Sequence, residues 1–167
     1  PLMRPGDLRL NSSSRALLIR GRTCLDLGFR LFHPVTDEQI ASVIVTDTPS
    51  YTYFAEVERV VDGDTLLVVI EAGFGEIVRD KLRLRGIDTP ELGTPGGERA
   101  KKYVQGLLPA GSLIVLKSIK SKTDTHGRYV VDIFYKQDCP APAEIIAAGT
   151  YLNQQLLDEG FAVRMAE

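Results

Sequence analysis

The sequence predicts an α+β fold, mainly β: a five-stranded OB-type β-barrel with two or three flanking helices, plus an N-terminal extension. Three observations carry that reading. Short apolar runs with a two-residue period recur between Gly, Pro and Asp turn signals, as in small antiparallel barrels. One helical repeat interrupts them after the third run, and another follows the fifth. The length of 167 residues, 44% of them hydrophobic, suits one domain with an appendage and a core of its own.

The extension covers residues 1–50 and the barrel domain residues 51–167. Residues 1–14 are polar and turn-rich, the composition of a poorly tied end. Leu25, Leu27, Phe29 and Leu31 alternate with Asp26, Gly28, Arg30 and Phe32, so an amphipathic strand is expected there. Thr36 and Gln39 have capping-box spacing, which places a short helix ahead of Ile40, Val43 and Ile44. Residues 43–45 read equally as strand, and residues 46–50, with Pro49, read as a linker. This region is either an accessory sheet or the tail of an upstream domain.

Residues 52–60 and 64–70 read as paired strands around an Asp-Gly turn, where glycine accepts positive φ. A Gly-Phe-Gly turn at 73–75 leads to a third strand over about residues 77–87. Gly96-Gly97 opens a helix on which Ala100, Tyr103, Val104 and Leu107 recur at helical spacing. Residues 113–119 and 128–135 supply the fourth and fifth strands, and 143–148 a short helical turn. Thr150 is placed to cap a last helix that turns Leu152, Leu156 and Leu157 to the core and stops at Gly160. Asn153 on that helix reads as a structural hydrogen bonder.

Composition excludes several classes. A net charge of −2 and a pI near 5.8 do not describe a surface that coats nucleic acid. Cys24 and Cys139 are too few for a disulfide framework or a zinc cluster. No run approaches the ~20 apolar residues of a membrane span. No signal peptide is visible, and with Pro1 as first residue the compartment stays open. There is no glycine-rich phosphate loop, and His33 and His126 accompany no serine in a nucleophile elbow. His33 reads as a packing or surface residue.

Three stretches carry chemistry. Arg83-Leu84-Arg85-Gly86-Ile87-Asp88-Thr89-Pro90-Glu91 runs from strand into loop and delivers two cations and two carboxylates. Arg83 and Asp88 have opposite strand parity, so the strand is expected to break or bulge near Gly86 and Ile87. Asp62-Gly63-Asp64 forms a turn, yet Asp64 then enters an apolar strand, where a carboxylate needs a cation, hydrogen bonds or a metal. An EF-hand does not explain it, since Leu66 falls at the fifth position. Asp124-Thr125-His126-Gly127-Arg128 is a turn that ends on an arginine at a strand start. Taken singly, each has a plain reading: Asp88 a turn cap, Glu91 solvated surface, Arg128 a solvated strand end.

Together with the late segment Tyr151-Leu152-Asn153-Gln154 through Leu157 and Gly160, these stretches resemble the thermonuclease family, the staphylococcal-nuclease-like domains. The likeness covers about residues 52–163, and its specificity lies in the order of the pieces, with Arg five before Asp and Glu three after it. The resemblance implies the same OB barrel and a calcium-dependent nuclease. Such an enzyme cleaves the 5′ P–O bond of DNA or RNA and leaves 3′-phosphates. It implies that Asp64 and Asp88 bind Ca2+ through carboxylates and Thr89 through its carbonyl. Glu91 then acts as base on the attacking water, and Arg83 and Arg128 grip the phosphate.

His126, Lys101 and Lys102 are further candidate substrate contacts, although the plain reading of the two lysines is a solvated helix face. The chemistry suits the residue types: guanidinium forks bind phosphate oxygens, and carboxylates with carbonyls hold hard cations. The expected partner is DNA or RNA, with no membrane and no obligate protein partner. The chain departs from the family pattern in its short loop between Glu91 and Glu98, in His126 where tyrosine is common, and in lacking the tyrosine pair that flanks the nucleotide. Two other readings are a non-catalytic OB module that binds nucleic acid or protein, and a calcium-stabilised structural domain. The six unsubstituted positions favour the enzyme.

Overall fold

The computed structural model describes residues 13–42, 44–45, 50–138 and 141–165. The turn-rich start up to residue 12, Val43, most of the linker stretch (46–49) and Cys139 lie outside the described residues.

Strands β1 (Ser13–Ile19), β2 (Arg22–Asp26), β3 (Phe32–Pro34) and β4 (Ile44–Val45) form a sheet in the order β3-β2-β1-β4. Helix α1 (Asp37–Ala41) precedes β4 and begins at the expected capping box: Gln39 N–H donates to Thr36 Oγ1 at 3.2 Å and Thr36 N–H to Gln39 Oε1 at 2.9 Å.

The alternation from Leu25 to Leu31 does not build one strand. β2 ends at Asp26, whose Oδ1 accepts the Gly28 N–H at 3.0 Å, and Leu31 N–H returns to Gly28 O at 2.8 Å. Gly28 has φ +82°, and a Cβ there would overlap the Tyr53 hydroxyl, so only glycine makes this turn. Nor does the alternation sort burial: Asp26 and Gly28 are buried together with Leu25, Leu27 and Phe29, and Leu31 is half-buried. Leu25 and Leu27 pack with Ala72, and Phe29 enters the barrel core edge-on to Tyr53 and Tyr129, at centroid distances of 5.0 and 4.8 Å. His33 stacks on Phe74 and pairs with Glu76 at 3.0 Å, a packing role.

The remaining elements are β5 (Thr52–Asp62), β6 (Thr65–Gly73), β7 (Glu76–Leu84), β8 (Ile87–Asp88), α2 (Pro95–Leu107), β9 (Leu113–Thr123), β10 (Tyr129–Tyr135), α3 (Pro142–Ala148), β11 (Thr150–Tyr151), α4 (Leu152–Asp158) and β12 (Val163–Arg164). β5, β6 and β7 form an antiparallel meander. β10 runs parallel to β7 and antiparallel to β9, and β9 pairs back with β5. That circuit closes a five-stranded OB-type barrel, which removes its free edges. Leu66, Val68, Leu82, Leu84, Leu116 and Val131 are among its fully buried interior.

Helix α2 starts at Pro95, a turn edge earlier than Gly96-Gly97 suggested. Thr94 Oγ1 accepts the Gly97 N–H at 3.1 Å and caps it, with proline pre-set at the first helical position. Ala100 and Val104 face inward as expected. α4 buries Leu152 and Leu156, but Tyr151, not Thr150, is its cap residue. Thr150 is held extended by pairing with Tyr135 of β10. Asn153 is the structural bonder expected: its Nδ2 donates to Arg85 O and Val131 O, and its Oδ1 accepts Ile133 N–H, each at 3.1 Å.

The third barrel strand breaks where parity required. β7 stops at Leu84, Arg85 and Gly86 turn with Gly86 at φ +71°, and β8 begins at Ile87. β8 leaves the barrel sheet and pairs instead with β12, Asp88 opposite Val163.

Candidate active site

Asp64 follows the tight turn at Gly63, where a Cβ would meet Ala100 and Thr89 at 2.8 Å. Gly63 thus packs against α2 and the loop after β8, and the adjacent Asp64 is only 4% exposed. The partners a buried carboxylate needs are all present. Thr65 Oγ1 donates to Asp64 Oδ1 at 3.1 Å, Thr89 N–H donates to Oδ2 at 3.0 Å, and Arg83 Nη2 lies 3.3 Å from Oδ2. Burial pushes the Asp64 carboxyl above the usual carboxylate range. The Thr89 N–H and the Arg83 guanidinium oppose that shift without cancelling it, and the neighbouring Asp62 adds to it.

The break after β7 turns Asp88 back so that Oδ1 accepts from the same Arg83 Nη2 at 2.5 Å. One nitrogen thus touches both carboxylates, and Asp64 and Asp88 converge on a single positive centre. Met165, on the strap that continues β12, presents Sδ to that nitrogen at 3.5 Å. A cavity of about 200 Å³ beside Asp88 and Thr89 is closed by Pro90 and residues 160–163. A larger cleft of about 610 Å³ lies along residues 106–113 and 135–138; Asp64, Arg83, Glu91 and Arg128 line neither cavity.

Arg128 reaches the cluster from the turn before β10. Its Nη1 donates to Thr65 Oγ1 at 3.0 Å, and that hydroxyl in turn donates to Asp64. Asp124 fixes the other side of the guanidinium, 2.7 Å from Nε and 2.6 Å from Nη2. Burial alone would raise the Asp124 carboxyl. Hydrogen bonds from the Arg128 backbone and side chain and from the His126 N–H outweigh it and hold Asp124 below the usual range. Thr65 and Asp124 are the functional positions that sequence reasoning missed. Asp124 had a signal, an acid four residues before an arginine across a Gly turn; Thr65 had none beyond following Asp64.

Glu91 lies two residues past Thr89 and is exposed. Its backbone is clamped: the carbonyl accepts from Thr94 Oγ1 at 2.7 Å and from Thr94 N–H at 3.2 Å, and Gly97 packs so closely that a Cβ would overlap it. Its carboxylate makes no hydrogen bond among the described residues. The structure therefore joins Asp64, Arg83, Asp88, Thr89 and Arg128 by direct or one-step contact, and places Glu91 on the adjoining loop. Lys101 and Lys102 lie on α2 with no hydrogen bond or ion pair to the cluster. The His126 ring contacts Thr125 Oγ1 at 3.3 Å instead.

No group of three or more His, Cys, Asp and Glu arranged for a metal occurs among the described residues. The expected donor set is smaller, two carboxylates and the Thr89 carbonyl, all hard oxygens. Asp64 Oδ2 and Asp88 Oδ1 converge on Arg83 Nη2, which fills the position between them, and in kind these oxygens suit a hard divalent ion.

Comparison with known proteins places the chain in a family. The family model described as staphylococcal nuclease homologue matches residues 81–167. An uncharacterised protein of Methanocaldococcus jannaschii is 32% identical over an alignment that covers 49% of this chain and 48% of that protein. The chain thus spans about half the length of the curated relative it matches. The family match takes in more than half of the sequence, including Arg83, Asp88, Thr89, Glu91 and Arg128, and the antiparallel pairing of β6 with β7 brings Asp64 beside Arg83. This chain belongs to the staphylococcal nuclease homologue family.

Proposed function

We propose that the protein is a calcium-dependent nuclease that hydrolyses the 5′ P–O bond of DNA or RNA and leaves 3′-phosphates. The observation that carries the reading is the chain Arg83–Asp64–Thr65–Arg128, an ion pair followed by two hydrogen bonds, which gathers two guanidinium groups and a buried carboxylate from three separate segments.

Hydrolysis of a phosphodiester builds negative charge on a five-coordinate phosphorus. Arg83 and Arg128 donate to its oxygens and stabilise that charge where it develops. Asp64, Asp88 and the Thr89 carbonyl would hold Ca2+, which when bound adds charge stabilisation and orients water. Glu91 accepts the proton of the attacking water, a role its unengaged carboxylate and fixed backbone suit. His126, at the turn that carries Arg128, and Lys101 and Lys102 on α2 are the proposed outer substrate contacts. We also propose the division of the chain into residues 1–50 and 51–167, with the nuclease chemistry in the second part.

A grip on one phosphate does not need a basic surface, which reconciles the site with a net charge of −2. The same acidic charge is what favours the second reading, a non-catalytic OB module. Incubation of the protein with single-stranded DNA and with RNA, in calcium and then in chelator, separates the two. Cleavage in calcium alone, yielding 3′-phosphate ends, is expected. Binding without cleavage would select the OB module, and cleavage unchanged by chelator would overturn the assigned cation.

A further inference from the structure

Asp124 stands outside the positions the proposed reaction uses, yet three hydrogen bonds and an ion-pair contact converge on its carboxylate. Oδ1 accepts the His126 and Arg128 N–H groups, both at 2.9 Å. Oδ2 accepts from Arg128 Nε at 2.7 Å and lies 2.6 Å from Nη2. We propose that Asp124 is a positioning residue that locks the Arg128 guanidinium in its phosphate-binding orientation. The proposal rests on the reading that Arg128 grips the scissile phosphate.

A guanidinium has five N–H donors in a rigid plane. Asp124 takes the Nε–H and one on Nη2; Thr65 takes one on Nη1 at 3.0 Å. One N–H on each terminal nitrogen is left over, a pair at the end of the fork suited to two phosphate oxygens. Arginine on a turn otherwise has several rotatable bonds to freeze at the moment of reaction. Asp124 and Thr65 freeze them beforehand, from opposite sides, and Thr65 ties the plane to Asp64. Pairing with a carboxylate also reduces the net charge that Arg128 offers a ground-state phosphate. The benefit therefore belongs to orientation, and it is expected in kcat rather than in KM.

A merely structural role must be separated from this one. Asp124 also closes the turn, since its N–H donates to Arg128 O at 2.8 Å and its carbonyl accepts Gly127 N–H at 3.0 Å. Those are backbone bonds and survive a side-chain change. Asp124→Asn keeps Oδ1 for the two backbone N–H groups but sets an NH2 against the guanidinium, so it breaks the arginine clamp selectively. Its kcat is expected to fall by about 10- to 100-fold with KM nearly unchanged and thermal stability close to that of the parent. In an Arg128→Ala background the same change is expected to cost no further activity, because Asp124 acts through Arg128.

A readout independent of turnover is proton exchange at Arg128 Nε, followed by nitrogen-15 NMR. It is expected to be slow in the parent protein and fast in Asp124→Asn. Full activity of Asp124→Asn, an equal proportional loss in both backgrounds, or an Nε–H that is unprotected in the parent would each overturn the proposal. If the parent cleaves no nucleic acid but Nε–H protection is still lost in Asp124→Asn, the nuclease reading falls and the clamp stands.

Discussion

A single nitrogen, Arg83 Nη2, touches Asp64, Asp88 and Met165, and this crowding says how the site is charged. The consequence for pH follows from the sign of the Asp64 shift. Its folded pKa lies above the unfolded value, so its contribution to stability is full below the unfolded pKa and is lost as pH rises through the folded one. Near neutral pH, then, ionisation of Asp64 costs the fold stability, and under the proposed reading bound calcium would offset that cost. Melting curves at neutral pH check this: Asp64→Asn is expected to melt no lower than the parent without calcium, and to lose the stabilisation that calcium gives the parent. Asp124 has the opposite sign. Its contribution is present above the ordinary carboxylate range and disappears only as pH falls through its depressed pKa, so the Arg128 turn stays clamped at neutral pH.

The elements show what their local patterns could announce. The two-residue period placed the barrel strands, and the opposite parity of Arg83 and Asp88 announced the break at Gly86. The same period misled at residues 25–31, because Gly28 lets a turn fold against Tyr53 and bury every residue from Leu25 to Phe29. The α2 cap was missed because Thr94-Pro95 was read as loop, and Thr150 was drawn into a strand by its pairing with β10. Asn153 was legible only as a hydrogen bonder. The structure shows that it bonds the buried Ile133 N–H and Val131 O and the half-buried Arg85 O, and so ties α4 to β10 and to the turn after β7. Replacing it removes all three bonds, although Val131 O keeps the Arg85 N–H at 2.8 Å. Asn153→Ala is expected to cost about 1–3 kcal/mol in urea unfolding, the scale of a buried group left without its partner. Because Arg85 lies beside the strand break, the same variant is expected to lower activity as well.

Across the whole molecule, sequence-distant segments meet because the barrel closes. β10 runs parallel to β7, which sets the Arg128 turn beside the start of β6, where Asp64 and Thr65 lie. No spacing in the sequence announces that adjacency. The order of the motifs supplied the site residues, while the Thr65 bridge and the Asp124 clamp needed the folded chain. The N-terminal segment was opaque for a similar reason: Phe29 belongs to the barrel core by long-range packing alone. The central claim is that this convergence is a phosphodiesterase site. Its most direct test is calcium-dependent cleavage of single-stranded DNA by the parent protein beside Glu91→Ser and Arg128→Ala. The parent is expected to cleave, and each variant to lose at least about a hundredfold in rate while melting as a folded protein. Parental rates in both variants would contradict the assignment.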